Sequence, residues 1–187
     1  MTPYHPDYAE QLTREWVETM VVGLNLCPFA ARVVRQNSLR YAVSEAKEMV
    51  EAVQFFTDEL ERIAAADPKE IATSLLIFPY AVADFYEYLM LLDECQWLLG
   101  RGGYEGVFQL ASFHPGYLFD GPDPDDLSHW TNRSPFPTIH IIREDQMAAV
   151  LKHVEDPEAI PERNIELMES LGKEGLIERF PPLGEYA

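Results

Sequence analysis

Positive charge is what this chain has least of. Across 187 residues, 14 Lys and Arg face 32 Asp and Glu, for a formal net charge of −18. Nucleic acid and anionic membrane surfaces need a basic footprint, so a field of this sign argues against both as partners. No apolar run approaches the roughly 18 residues of a membrane span. The N-terminus, Met1-Thr2-Pro3-Tyr4-His5-Pro6-Asp7, has neither the basic nor the apolar segment of a secretory signal. Cysteine is scarce too. Cys27 and Cys95 form no CxxC pair, which excludes a disulfide framework and a thiolate zinc knuckle. A reducing, cytoplasmic compartment is the expectation.

Apolar residues, by contrast, are plentiful. At 47% of the chain, with 12% aromatic, they exceed what a disordered acidic protein carries, and the length suits one core. Internal repeats, low-complexity tracts and Gly/Ser linkers are missing. The expected organisation is a single domain over residues 1–175 followed by a C-terminal tail over 176–187. Oligomeric state stays open.

Periodicity predicts a first helix from Tyr8 to Val22, stopped by Gly23, and a strand from Ser38 to Val43. Ser44 reads as the N-cap of a long helix to Ala66. A strand follows from Thr73 to Phe78, then a helix opened by Asp84 that is apolar almost all round and so deeply buried. Two more strands are expected at Val107–Phe113 and Thr138–Arg143, with two short helices after them. Strands joined through long helices favour parallel crossovers, while the last strand returns antiparallel. The expected fold class is therefore α/β or α+β. Its sheet has about four strands, mixed parallel with one antiparallel strand, packed with about five helices.

The chemistry-bearing residues lie in three segments. His114 follows the third strand, at the carboxyl edge where ligands sit in open α/β sheets. An antiparallel fourth strand returns to that edge, bringing Thr131-Asn132-Arg133-Ser134-Pro135 beside His114. His140 then lies roughly 7–10 Å deeper along the strand, in reach of the same cleft. Cys27 precedes Pro28, a favoured first helical residue, so a helix dipole with Arg32 and Arg35 nearby lowers its thiol pKa.

Each residue also has a structural reading. His114 caps the strand end by bonding backbone, His140 is a satisfied core residue, and Cys27 is a small buried hydrophobe. Arg133 either holds an anion bidentately or pairs with Asp125 or Asp126. The acidic stretch from Asp120 to Asp126 lacks the calcium-loop pattern and is broken by Pro122 and Pro124. No serine-hydrolase elbow, P-loop or dinucleotide fingerprint appears, so the cofactor is unknown.

The segments Gly23-Leu24-Asn25-Leu26-Cys27-Pro28-Phe29-Ala30, Phe113-His114-Pro115 and Thr131-Asn132-Arg133-Ser134-Pro135 resemble a bacterial family of uncharacterised proteins, a domain of unknown function. The resemblance continues through Tyr117, His140 and Arg143 and runs from about Trp16 to Asn164. It implies that the segments matter together and supplies no activity.

The leading expectation is a small soluble enzyme acting on an anionic small molecule. His114, Cys27 and His140 are its catalytic candidates, with Cys27 the nucleophile. Asn25, Asn132, Arg133, Ser134 and Arg143 are the substrate-binding candidates. One rival is a metabolite-binding or regulatory module without chemistry. Another is a metal protein using His114, His140 and an Asp. The anion rests on charge distribution: Thr19–Ser44 and Leu127–Arg143 hold no acid and carry +3 and +2, set in an acidic shell.

Overall fold

A computed structural model describes residues 5–186; the stretch read for a secretory signal lies outside them up to Tyr4. Four strands form one mixed sheet in the order β1-β2-β4-β3: β1 Leu39–Val43, β2 Thr73–Ile77, β3 Phe108–Phe113 and β4 Thr138–Arg143. β1 and β2 are parallel, and β4 runs antiparallel between β2 and β3. The fold is α+β. β2 is buried at all five positions, as expected of a continuous apolar run inside a sheet covered on both faces.

The period of two along each strand divides the core. On one face Leu39, Leu75 and Ile77 meet Trp16, Met20, Phe29 and Val33 from α1 (Pro6–Trp16), α2 (Ala30–Arg35) and the segments flanking α2. On the other, Leu76, Ile139 and Ile141 meet Phe56, Leu60, Tyr88 and Leu91 from α3 (Met49–Ala65) and α4 (Phe85–Arg101). α5 (Glu144–Leu151) follows β4, and α6 (Ile160–Arg179) joins the first face through Met168 and Leu176. No helix among the described residues is long and apolar enough to cross a membrane.

Several boundaries differ from expectation, each for a physical reason. α1 passes into a π-helical turn over Val17–Val22, and Gly23 ends it in a right-handed conformation. A Cβ at Gly23 would lie 2.3 Å from the Thr19 carbonyl oxygen, so glycine serves close approach here. The left-handed residue is Asn25, with φ 54°. Ser44 does not cap α3: its hydroxyl accepts from Ala46 N, and the helix starts five residues later at Met49. There the Glu51 carboxylate accepts from the N–H groups of Lys47 and Glu48.

α4 is not buried all round. Tyr88, Leu91, Cys95 and Leu99 face the core, while Tyr86, Met90 and Trp97 are exposed. Residues 176–186 also depart from the expected tail. Leu176, Phe180 and Leu183 are buried in the first core, and a 3-10 helix spans Pro181–Tyr186.

Candidate functional site

Antiparallel pairing of Phe113 with Thr138 brings the end of β3 beside the start of β4, so His114 and the Asn132 segment do meet. They meet as backbone architecture. His114 N–H donates to Asn132 O, and the Asn132 amide donates to Ser112 O at 3.0 Å. His114 is 2% exposed. Its Nδ1 accepts from Gly116 N at 3.0 Å, so Nε2 carries the proton and donates to Val82 O at 3.2 Å. Val82 has φ 51°, a strained conformation for a β-branched residue, and this bond helps to hold it. Burial lowers the His114 pKa, against the raising influence of the Val82 carbonyl and Asp84. With both nitrogens engaged, His114 has no free atom for acid–base work.

His129, which sequence reasoning passed over, repeats the device. Its Nδ1 accepts from Phe119 N and its Nε2 donates to Asp123 O at 2.9 Å, fixing the acidic loop. The signal was available: a histidine within a long Pro- and Asp-rich connection has backbone groups to satisfy.

Most of the expected anion-binding set is likewise occupied. Ser134 is buried and donates to Phe136 O. Arg143 lies at the far end of β4, five residues from Thr138, or roughly 16 Å at strand rise. Its guanidinium donates to the carbonyls of Ile63, Ala66 and Ile71, closing the end of α3. Asn25 is exposed, and its carbonyl accepts from Arg163. Arg133 differs. It is 8% exposed, its guanidinium lies 4.9 Å over Trp130, and its buried Nε has no partner. Burial lowers its pKa, with Asp125 opposing.

The cleft beside this segment, of about 600 Å³, is lined by Thr131 and Asn132 but not by Arg133. It also carries Asp120, Asp126 and Glu169. Such a rim repels an anion.

The other histidine faces the opposite way. His140 pairs across the sheet with Ala111 and Leu75, on the α1/α2 face, whereas His114 packs on Phe85 and Tyr88 of the α3/α4 side. The sheet separates them, so they cannot ligate one metal ion. Among the described residues, no three His, Cys, Asp or Glu side chains gather as ligands.

His140 instead lines a cavity of about 120 Å³ with Cys27, Thr73, Trp16, Phe29 and Phe113. Thr73 Oγ1 donates to Ile141 O at 2.6 Å, which uses its only proton. The 2.6 Å contact between Thr73 Oγ1 and His140 Nε2 therefore has Nε2–H as donor. Nδ1 is left with a lone pair and no protein partner, while burial pushes the His140 pKa down to about 4. The imidazole is neutral at physiological pH.

Cys27 lies two residues ahead of the Phe29 N-cap of α2, not at the helix start. Burial pushes its thiol pKa up, outweighing the lowering by the Phe29 and Ala30 amides. The expected thiolate is thus overturned: the resting pair is a neutral thiol and a neutral imidazole.

A family model described as protein of unknown function, DUF1415, matches residues 8–178. The chain belongs to the DUF1415 family. Neither a curated protein nor a solved structure matches it. In this DUF1415 chain Cys27 and His140 come to one cavity, while His114 and the Asn132 segment brace the loop behind Phe113. Thr73, which sets the His140 tautomer, was missed in sequence because it reads as an ordinary β-branched strand residue.

Proposed function

We propose that this protein binds a small, largely apolar, neutral molecule in the cavity between the sheet and α1/α2. The observation that carries the reading is the unpartnered His140 Nδ1 lone pair in a cavity walled, apart from Cys27 and Thr73, by apolar side chains. An engineered apolar cavity of about 150 Å³ holds benzene, so the ligand has roughly that bulk. Its one polar group is a hydroxyl or amide N–H that donates to Nδ1, because an unpartnered acceptor in an apolar cavity favours a ligand that satisfies it. A neutral ligand replaces the anion expected from the acid-free windows. The cavity offers no cation, and the cleft beside Asn132 carries three carboxylates.

A second reading, catalysis, is favoured by one observation: Cys27 lines the same cavity as His140. In it, Sγ adds to a carbonyl carbon of the bound molecule: the S–C bond forms as the C=O π pair moves onto oxygen, and Nδ1 takes the thiol proton and passes it to that oxygen, leaving a neutral hemithioacetal. Both groups start neutral, so proton transfer accompanies attack instead of preceding it.

The test is a thermal-shift screen of small phenols, alcohols and amides, with matched hydrocarbons, against the wild type and His140→Leu. Donor-bearing ligands are expected to raise Tm more than their hydrocarbon counterparts, to shield Cys27 from iodoacetamide, and to lose that advantage in His140→Leu. Equal binding of hydrocarbon and phenol, or of wild type and variant, would overturn the reading. Turnover that vanishes in Cys27→Ser while binding persists would establish the catalytic form.

A further inference from the structure

The outer face of α4 presents a second, unrelated feature. Tyr86, Met90 and Trp97 are 73%, 65% and 53% exposed, although each is a residue that proteins normally shelter at least in part. With Asp93 they follow the 4-3-4 spacing of a coiled-coil seam, so all four fall on one stripe of the helix, roughly 16 Å long. At the N-terminal end the stripe opens into a groove lined by Tyr86, Leu89, Leu118 and Phe119, with Asp120 on its edge. Leu118 and Phe119 are themselves partly exposed. Isolated surface apolar residues need no explanation, but a contiguous helical stripe running into an apolar groove does.

Charge decides what covers it. From Pro79 to Asp126 the chain carries nine Asp and Glu against one Lys or Arg, Arg101. Asp93 stands within the stripe, with Glu87 and Glu94 exposed beside it. The one cation lies at the far end, stacked 4.9 Å over Trp97. A second copy of this chain would bring the same acids and a further −18 against this face, and like charges across an interface oppose pairing. We propose that the α4 stripe and its groove dock a cationic amphipathic helix about three turns long. Its apolar residues would seat on Tyr86, Met90 and Trp97, and a Lys or Arg would meet Asp93. This is the helix-in-groove mode of recognition, with a seam acid to fix register. It is independent of the cavity around His140, which lies across the sheet.

The test uses a labelled synthetic helix of Leu and Lys, about three turns long, read by fluorescence anisotropy at physiological salt. A Lys/Ser peptide of equal charge without an apolar face is the control. Saturable binding of the Leu/Lys helix is expected. It should be at least about tenfold weaker for Met90→Ala/Trp97→Ala and for Asp93→Lys, with little affinity for the control. These positions are exposed, so circular dichroism of the variants should match the wild type. Equal affinity for wild type and variants would overturn the proposal by reducing it to general attraction to an acidic protein. So would a dimer seen by sedimentation that Met90→Ala/Trp97→Ala dissolves, because the face would then belong to a second copy.

Discussion

His114 and His140 are the same side chain on opposite sides of one sheet, and they differ in what is left over. His114 spends Nδ1 on Gly116 N–H and Nε2–H on the Val82 carbonyl, packed against two aromatic rings of α4. His140 spends Nε2–H on Thr73 and keeps the Nδ1 lone pair against a cavity. Both are neutral, with pKa values lowered by desolvation, so protonation state does not tell them apart. Hydrogen-bond accounting does: a ring with two backbone partners is a brace, and a ring with one free acceptor can hold a ligand.

The largest expected effect breaks the brace. His114→Ala leaves the Gly116 N–H and Val82 carbonyl unpaired, removes the ring from Phe85 and Tyr88, and frees a strained Val82. A stability loss of about 4 kcal/mol is expected in urea denaturation, from two unmade bonds plus a cavity. A loss below about 1 kcal/mol would show that the bonds to Gly116 and Val82 matter little and would return His114 to the free acid–base groups.

Acidification tests both rings at once. The folded-state pKa of His140 is about 4 against an ordinary 6.5. Above 6.5 the ring is neutral in both states and the native advantage is complete. As pH falls from 6.5 to 4, the unfolded chain takes up a proton that the folded chain refuses. About 3 kcal/mol of stability is lost over that window. His114, whose pKa is also lowered by burial, adds to the loss in the same direction. Urea unfolding of wild type and His140→Leu across the window separates the shares, since the variant should show a shallower fall with acid. Identical slopes would mean that His140 is not neutral by burial.

Arg143 extends the comparison to a cation whose Nε and Nη2 donors are spent on backbone carbonyls. Arg143→Met leaves the carbonyls of Ile63, Ala66 and Ile71 without their shared donor and should cost about 2 kcal/mol by thermal unfolding. An unchanged Tm would make that guanidinium available for another role, as in the sequence-based expectation.

These differences mark where sequence reading stops. The strands and the antiparallel return of β4 were legible because period-two burial and loop lengths constrain them. The meeting of His114 with the Asn132 segment followed from that return. The face of each side chain did not: His114 lies just beyond a strand and His140 within one, and a shift of one residue reverses the side. The roles of Arg143 and Ser134 were hidden because their partners are backbone carbonyls, which every sequence has in abundance. The start of α3 slipped because Ser44 satisfies a local turn, while the effective cap is formed by Glu51. Charge counted along windows also ignores what folds beside them. Asp120 and Glu169 come from outside the acid-free segment, yet line its cleft.

The smallest expected effect bears most directly on the cavity. His140→Leu replaces the imidazole with an apolar group of similar bulk and removes an acceptor nitrogen that has no protein partner. It also removes the Nε2–H bond to Thr73, but the Thr73 hydroxyl keeps its own partner, the Ile141 carbonyl. One modest bond is lost and a leucine takes the ring's place among apolar neighbours, so the net cost at neutral pH should be below about 1 kcal/mol. A brace would not behave this way. If His140→Leu proves as damaging as His114→Ala, the lone pair has a partner in the folded chain and the cavity loses its one polar handle. If it is nearly neutral in stability and abolishes the advantage of donor-bearing ligands, the nitrogen left over is there for the ligand.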